Sequence, residues 1–209
     1  MPSEPQTFTA AIIRPMAGSD SADVARLHAL TINRGFLARL GPRFLRELYI
    51  GIEEDPESAV WVAELDGSVC GFLAYTANVA GLYRRVLRAR SWRLFLGMIP
   101  RVLRPAMLRN VLETLCYPRT QEAMHLPRAE LLAVGIDPHR QGTGAGRRLV
   151  AAMLDRARAD GVDRVKVVVG GDLDGANAFY PRVGFTRLTE FEHHGRMSIV
   201  YVIPVQSPP

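Results

Sequence analysis

Lysine is almost missing from this 209-residue chain: Lys166 is the single example, and the rest of its 26 basic residues are arginine. Acid is unevenly spread, with no Asp or Glu between Gly67 and Val111. Cysteine is scarce too. Cys70 and Cys116, both in apolar contexts, support neither a disulfide framework nor a metal site, and they read as small buried hydrophobes. No run of about 20 apolar residues is present to span a bilayer. The opening MPSEPQTFTA lacks a basic region followed by an apolar run, so no signal peptide and a cytoplasmic location are expected. Internal repeats and low-complexity segments are also absent, and the length suits one sizeable core better than two.

What is present is an ordinary globular composition, 48% apolar and 22% charged. The net charge of +5 and pI near 9.7 point to an anionic partner without specifying a fold. Nucleic acid, a membrane surface and a phosphorylated small molecule all satisfy that charge. The arginines form no recognised nucleic-acid motif, so nucleic acid is not expected.

The element signals alternate between strand and helix. TAAIIRPM reads as a first strand. Ser21 and Asp23 open an amphipathic helix through Val24, Leu27 and Leu30. A second helix follows Pro42, with Phe44, Leu45, Leu48 and Tyr49 at helical spacing. SAVWVAELDGSVCGFLAYT places two β-rich runs around Asp66-Gly67, the chemistry of a tight hairpin. AELLAVGI after Pro127 is a strand; Leu149, Val150, Met153, Leu154 and Ala157 then share one face of a helix stopped by Gly161. RVKVVVG is a buried strand, DGANAFYPRV a short helix, and GFTRLTEF and RMSIVYVIPV close the chain as strands.

Between the strand at 129–136 and its following helix lies Gln141-Gly142-Thr143-Gly144-Ala145-Gly146. Each glycine lowers helix propensity by about 1 kcal/mol relative to Ala, so the turn needs a reason. Exposed amides and a helix dipole at such a place form an anion site, and Arg147 and Arg148 add charge to it. No Gly-Lys-Ser/Thr follows, so it is not a P-loop.

This turn resembles the Gln/Arg-x-x-Gly-x-Gly/Ala signature of the GNAT superfamily of N-acyltransferases. Asn177-Ala178-Phe179-Tyr180-Pro181-Arg182-Val183-Gly184-Phe185 is similar to that family's second hallmark. The resemblance is close over 128–190 and looser over the N-terminal half. It implies a mixed α/β GNAT fold, one domain over 9–205, with acetyl-CoA as co-substrate and no metal. It also implies that Gln141, Gly142, Thr143, Gly144, Ala145, Gly146 and Arg147 wrap the pyrophosphate. Val134, Gly135 and Ile136 would pair with the pantetheine arm, and an oxyanion donor would lie near Val134 and Gly135. Asn177 would hydrogen-bond the same arm, and Tyr180 would be the general acid toward sulfur. Glu130, eleven residues before Gln141, is the candidate base, with His125, His193 and His194 as alternatives.

The Arg-rich segment 82–116 departs from the compact family pattern and is expected as a helical insertion between strands 3 and 4. Three readings compete for it: a solvated basic face packing on the domain or on a second subunit of a homodimer, a lid over an anionic acceptor, or a helix gripping a membrane surface. The expected activity is acetyl transfer to a primary amine of a small molecule or peptide. A non-catalytic acyl-CoA sensor and a membrane-associated adaptor are the rivals.

Overall fold

A computed structural model describes residues 10–33, 36–86, 88, 124–193 and 196–205. The N- and C-terminal tails, His194 and nearly all of the segment at 82–116 therefore lie outside the described residues, and with them the proposed lid, subunit contact and membrane contact.

Among the described residues seven strands form one sheet: β1 (Ile12–Pro15), β2 (Ser58–Leu65), β3 (Ser68–Thr76), β4 (Ala129–Ile136), β5 (Arg164–Gly170), β6 (Thr186–His193) and β7 (Arg196–Pro204), in the order β1-β2-β3-β4-β5-β7-β6. All neighbours are antiparallel except β4 and β5, which run parallel. The helices with both ends among the described residues are α1 (Ser21–Thr31), α2 (Phe36–Arg39), α3 (Pro42–Glu53), α4 (Ala145–Ala159) and α5 (Asp174–Arg182). Short α2 has no counterpart in the sequence-based reading.

Local chemistry accounts for the boundaries. Asp66 and Gly67 both take positive φ, 52° and 73°, which matches the twist of the β2–β3 hairpin. At the end of α4, Gly161 is left-handed; its N–H donates to Arg158 O and that of Val162 to Ala157 O, closing the last turn. Helical backbone begins at 79, earlier than the 82 expected, because Asn78 caps it: its Oδ1 accepts from the Gly81 N–H at 3.0 Å. Arg85 ties this helix down, donating to buried Asp55 and, at 2.6 Å, to Glu57.

Two cores cover the two faces of the sheet. Leu73, Tyr75, Leu131 and Val167 pack with Leu149 and Met153 of α4 and Tyr180 of α5. Phe72, Ala74 and Val62 pack on the other face with Val24 and Leu27 of α1 and Phe44 and Leu45 of α3. Leu30 is a correction to the expected stripe. It is 47% exposed, and His28, 3% exposed, takes the buried position, because the buried arc of α1 runs through Val24, Leu27 and His28.

Candidate active site

The parallel pair β4–β5 is joined only at its start, where Ala129 faces Val165 and Glu130 faces Lys166. Beyond Glu130 the strands part. A bulge adds to the divergence: Leu131 faces Tyr75 and Ala133 faces Ala74, leaving Leu132 extra. The β5-facing backbone groups of 131–136 therefore have no ladder partner in β5. A polar backbone edge of this kind must be satisfied by water or by a ligand. Val134, Gly135 and Ile136 lie along it. Gly135 is glycine for a packing reason, since a Cβ there would meet Thr31 Oγ1 at 2.3 Å and the Phe72 ring at 2.6 Å.

The glycine turn stands at the open end of this V. Gly142 and Gly144 have φ of 81° and 82° with open space where a Cβ would be, so their glycine is required by conformation. Gly146 has a different reason: a Cβ would sit 3.2 Å from the Phe179 ring, so it lets α4 approach α5. Thr143 Oγ1 donates to Arg140 O at 2.8 Å and holds the turn shut. Gly144 is the N-cap and offers no side chain; the first intrahelical bond is Arg148 N–H to Gly144 O. The N–H groups of Ala145, Gly146 and Arg147 thus point out of the helix start without intrahelical acceptors. Gln141 and Arg147 are exposed beside them, while Ala145 is buried. Amides, dipole and arginine favour a polyanion here.

At the closed end of the V, Glu130 is 6% exposed, and its Oε2 lies 3.2 Å from Nζ of Lys166, which is fully buried. The Lys166 ammonium also donates to the carbonyl of Pro127. Sequence reasoning noted Lys166 only for its isolation. Its alternating place in RVKVVVG, between core-facing valines, was the available sign that it points to the opposite face and needs a buried partner.

Tyr180 is 5% exposed and set among rings: Phe179 and Phe185, both at 5.4 Å edge-on, and Tyr201 stacked at 5.9 Å. Burial drives its pKa well above that of an ordinary phenol, so it holds its proton as a hydrogen-bond donor. Asn177 is committed within the fold. Its Nδ2 donates to Gly170 O at 3.0 Å, and its Oδ1 accepts from the Tyr201 hydroxyl at 3.1 Å. It fastens the end of β5, and with it the far arm of the V. Among the alternative bases, His125 is exposed with φ of 53°, in the segment leading into β4.

Comparison with known proteins decides the family. A family model described as acetyltransferase (GNAT) matches residues 30–185. The chain belongs to the acetyltransferase (GNAT) family. Among solved structures it resembles SsHAT, at TM-score 0.70 and 20% identity over 95% of this chain and 100% of that one. It also resembles Ard1 from Thermoplasma volcanium, at TM-score 0.60 and 17% identity over 95% and 100%. Both likenesses concern the fold. A curated relative, mycothiol acetyltransferase of Beutenbergia cavernae, is 42% identical over 66 residues, which is 32% of this chain and 22% of the relative. Mycothiol acetyltransferase of Kineococcus radiotolerans is 36% identical over 88 residues, 42% of this chain and 27% of that one. The chain thus matches only about a quarter of these relatives' own length.

Within this GNAT fold, a cavity of about 420 Å³ lies away from the open V, against the segment that leads into β4 and the first residue of β5. Among the described residues no cluster of three or more His, Cys, Asp or Glu could hold a metal, and no helix is long and apolar enough to cross a membrane.

Proposed function

We propose that this chain is an acetyl-CoA-dependent N-acetyltransferase acting on a primary amine. The observation that carries the reading is the splay of β4 from β5 beginning right after Glu130, with the glycine turn at its open end. The relatives named as acetyltransferases support acetyl as the transferred group. Acetyl-CoA supplies an activated thioester.

The chain's residues then divide the work. Amides of Ala145, Gly146 and Arg147 and the Arg147 and Gln141 side chains hold the pyrophosphate at the helix start. The free edge of β4 at Val134, Gly135 and Ile136 takes the extended arm. An alkylammonium, with an ordinary pKa near 10, is no nucleophile at neutral pH, so a base must relieve it of a proton. Glu130, at the closed end of the V, takes that proton directly or through a water. A backbone N–H near Val134 or Gly135 faces the developing oxyanion. Tyr180, protonated across the working pH range, donates its hydroxyl proton toward the leaving sulfur and regains one from solvent, so that the free thiol departs and the phenol is restored.

The second reading, a non-catalytic acyl-CoA sensor, draws on the Glu130–Lys166 ion pair, in which the carboxylate already has a charged partner. Following thiol release from acetyl-CoA over a panel of amines separates the two. Amine-dependent release supports the enzyme; tight acetyl-CoA binding without release from any amine supports the sensor.

A further inference from the structure

We infer that the acceptor is a primary amine that also carries a carboxylate, bound by Arg164 in the cavity at the closed end of the V. This rests on the reading of the chain as an N-acetyltransferase, and it narrows the acceptor from any amine to one charge class.

Position comes first. Pro127 lines the cavity, and its carbonyl accepts from Nζ of Lys166, whose ion-pair partner is Glu130. The cavity wall is therefore one hydrogen bond and one ion pair from the proposed base. Arg164 lines the same cavity and precedes Lys166 by two residues on β5, so their side chains leave the same face, about 7 Å apart along the strand. Thr189 belongs to that face too: it faces Val200 on β7, and Val200 faces Val168, in phase with Arg164 and Lys166. The cavity thus opens on the side of the sheet away from α4 and α5. Glu130 does not itself line the cavity; Pro127 and Lys166 form the link between the cavity wall and the proposed base.

The lining then selects the ligand. The volume, about 420 Å³, lies at the lower end of small-molecule sites. Arg164 supplies a guanidinium, whose planar fork matches a carboxylate, and His125 and Thr189 add further polar groups. Met124, Leu126 and Leu188 supply apolar surface. Leu188 sits at the β6 bulge, between Arg187 and Thr189, which re-aims a side chain out of the regular alternation. It stays 46% exposed on the cavity wall. No Asp or Glu lines the cavity among the described residues. A polyamine or aminoglycoside would bring several positive charges to a wall whose described residues offer one more and no counter-charge. An amine with a single carboxylate and an apolar body matches the Arg164 fork and the apolar wall.

The test uses the full-length chain, saturated with acetyl-CoA, and three probes: L-leucine, the uncharged L-leucinamide and spermidine. Calorimetry gives binding, and product formation gives kcat/KM. L-Leucine is expected to bind at least tenfold more tightly than L-leucinamide, with spermidine weakest. Arg164→Gln should raise Kd and KM for L-leucine at least tenfold and abolish the preference over the amide. Arg26→Gln, which removes one charge from exposed α1, should change neither. Preference for L-leucinamide or spermidine, equal binding of all three, or no binding of any overturns the inference. So does an unchanged preference in Arg164→Gln. Arg164-dependent discrimination in binding without product keeps the carboxylate site and overturns the acetyltransferase reading. Product formed without discrimination does the reverse.

Discussion

At the scale of single residues, the proposed mechanism rests on two buried groups, Tyr180 and Glu130. Tyr180 is kept protonated by the rings around it. Tyr180→Phe should lower kcat by roughly 100-fold or more while leaving the acetyl-CoA Kd within about twofold; unchanged turnover would remove Tyr180 from the reaction. Glu130 presents an entangled case, because its substitution strands the Lys166 ammonium in the interior. Glu130→Ala should therefore cost about 3–5 kcal/mol in chemical denaturation, whatever its catalytic part. Replacing both partners, Glu130→Leu with Lys166→Met, should recover most of that stability. If Glu130 is the base, the double variant folds and binds acetyl-CoA but transfers no acetyl group; full activity in it would rule the base out. His28 makes a separate prediction. Its Nδ1 lies 2.6 Å from the Tyr49 hydroxyl, and burial lowers its pKa from 6.5 to about 4. Above pH 6.5 both folded and unfolded forms are neutral. As pH falls from about 6.5 to 4 the unfolded chain takes up a proton that the folded chain refuses, so stability falls across that window, by about 3 kcal/mol in all. Urea denaturation at pH 7 and pH 4.5 should show the loss, and His28→Gln should show less of it.

At the scale of elements, glycine turn and strand splay answer to different causes, and they were unequally legible. Gly142, Gly144 and Gly146 mark the strand-to-helix turn in the sequence, yet only geometry separates conformation at the first two from packing at the third. Gly144→Ala forces an L-residue to φ of 82°, at about 1–2 kcal/mol, and should weaken acetyl-CoA binding by about tenfold or more. Gly146→Ala meets only a ring that can shift and should cost less in binding; equal losses would contradict the division of roles. Period-3.6 patterning marked α1, α3 and α4, which each bury one face, and apolar β-rich runs marked β2 to β5, which lie between two cores. The splay was not readable, since it depends on how few residues of β4 and β5 pair and on the extra Leu132. Short α2 buries too little to leave a pattern. The commitment of Asn177 to Gly170 and Tyr201 was equally hidden, because an asparagine on a helix face carries no mark of its partner.

At the scale of the whole molecule, one sheet carries two cores and separates two tasks. In the proposed reading the α4–α5 face and the open end of the V receive the nucleotide end of acetyl-CoA. In the same proposed reading the opposite face, with Arg164 and the cavity at the closed end, receives the acceptor. Arginine-rich composition fits this layout, since one proposed ligand is a polyanion and the other carries a carboxylate. The most direct measurement is time-resolved thiol release from acetyl-CoA by the full-length chain, with mass analysis of the amine. The expected result is one acetyl group on the amine per thiol released, with release abolished when the amine is withheld. Acetyl-CoA that binds yet yields no thiol beyond the amine-free rate, with any amine in the panel, would contradict the account.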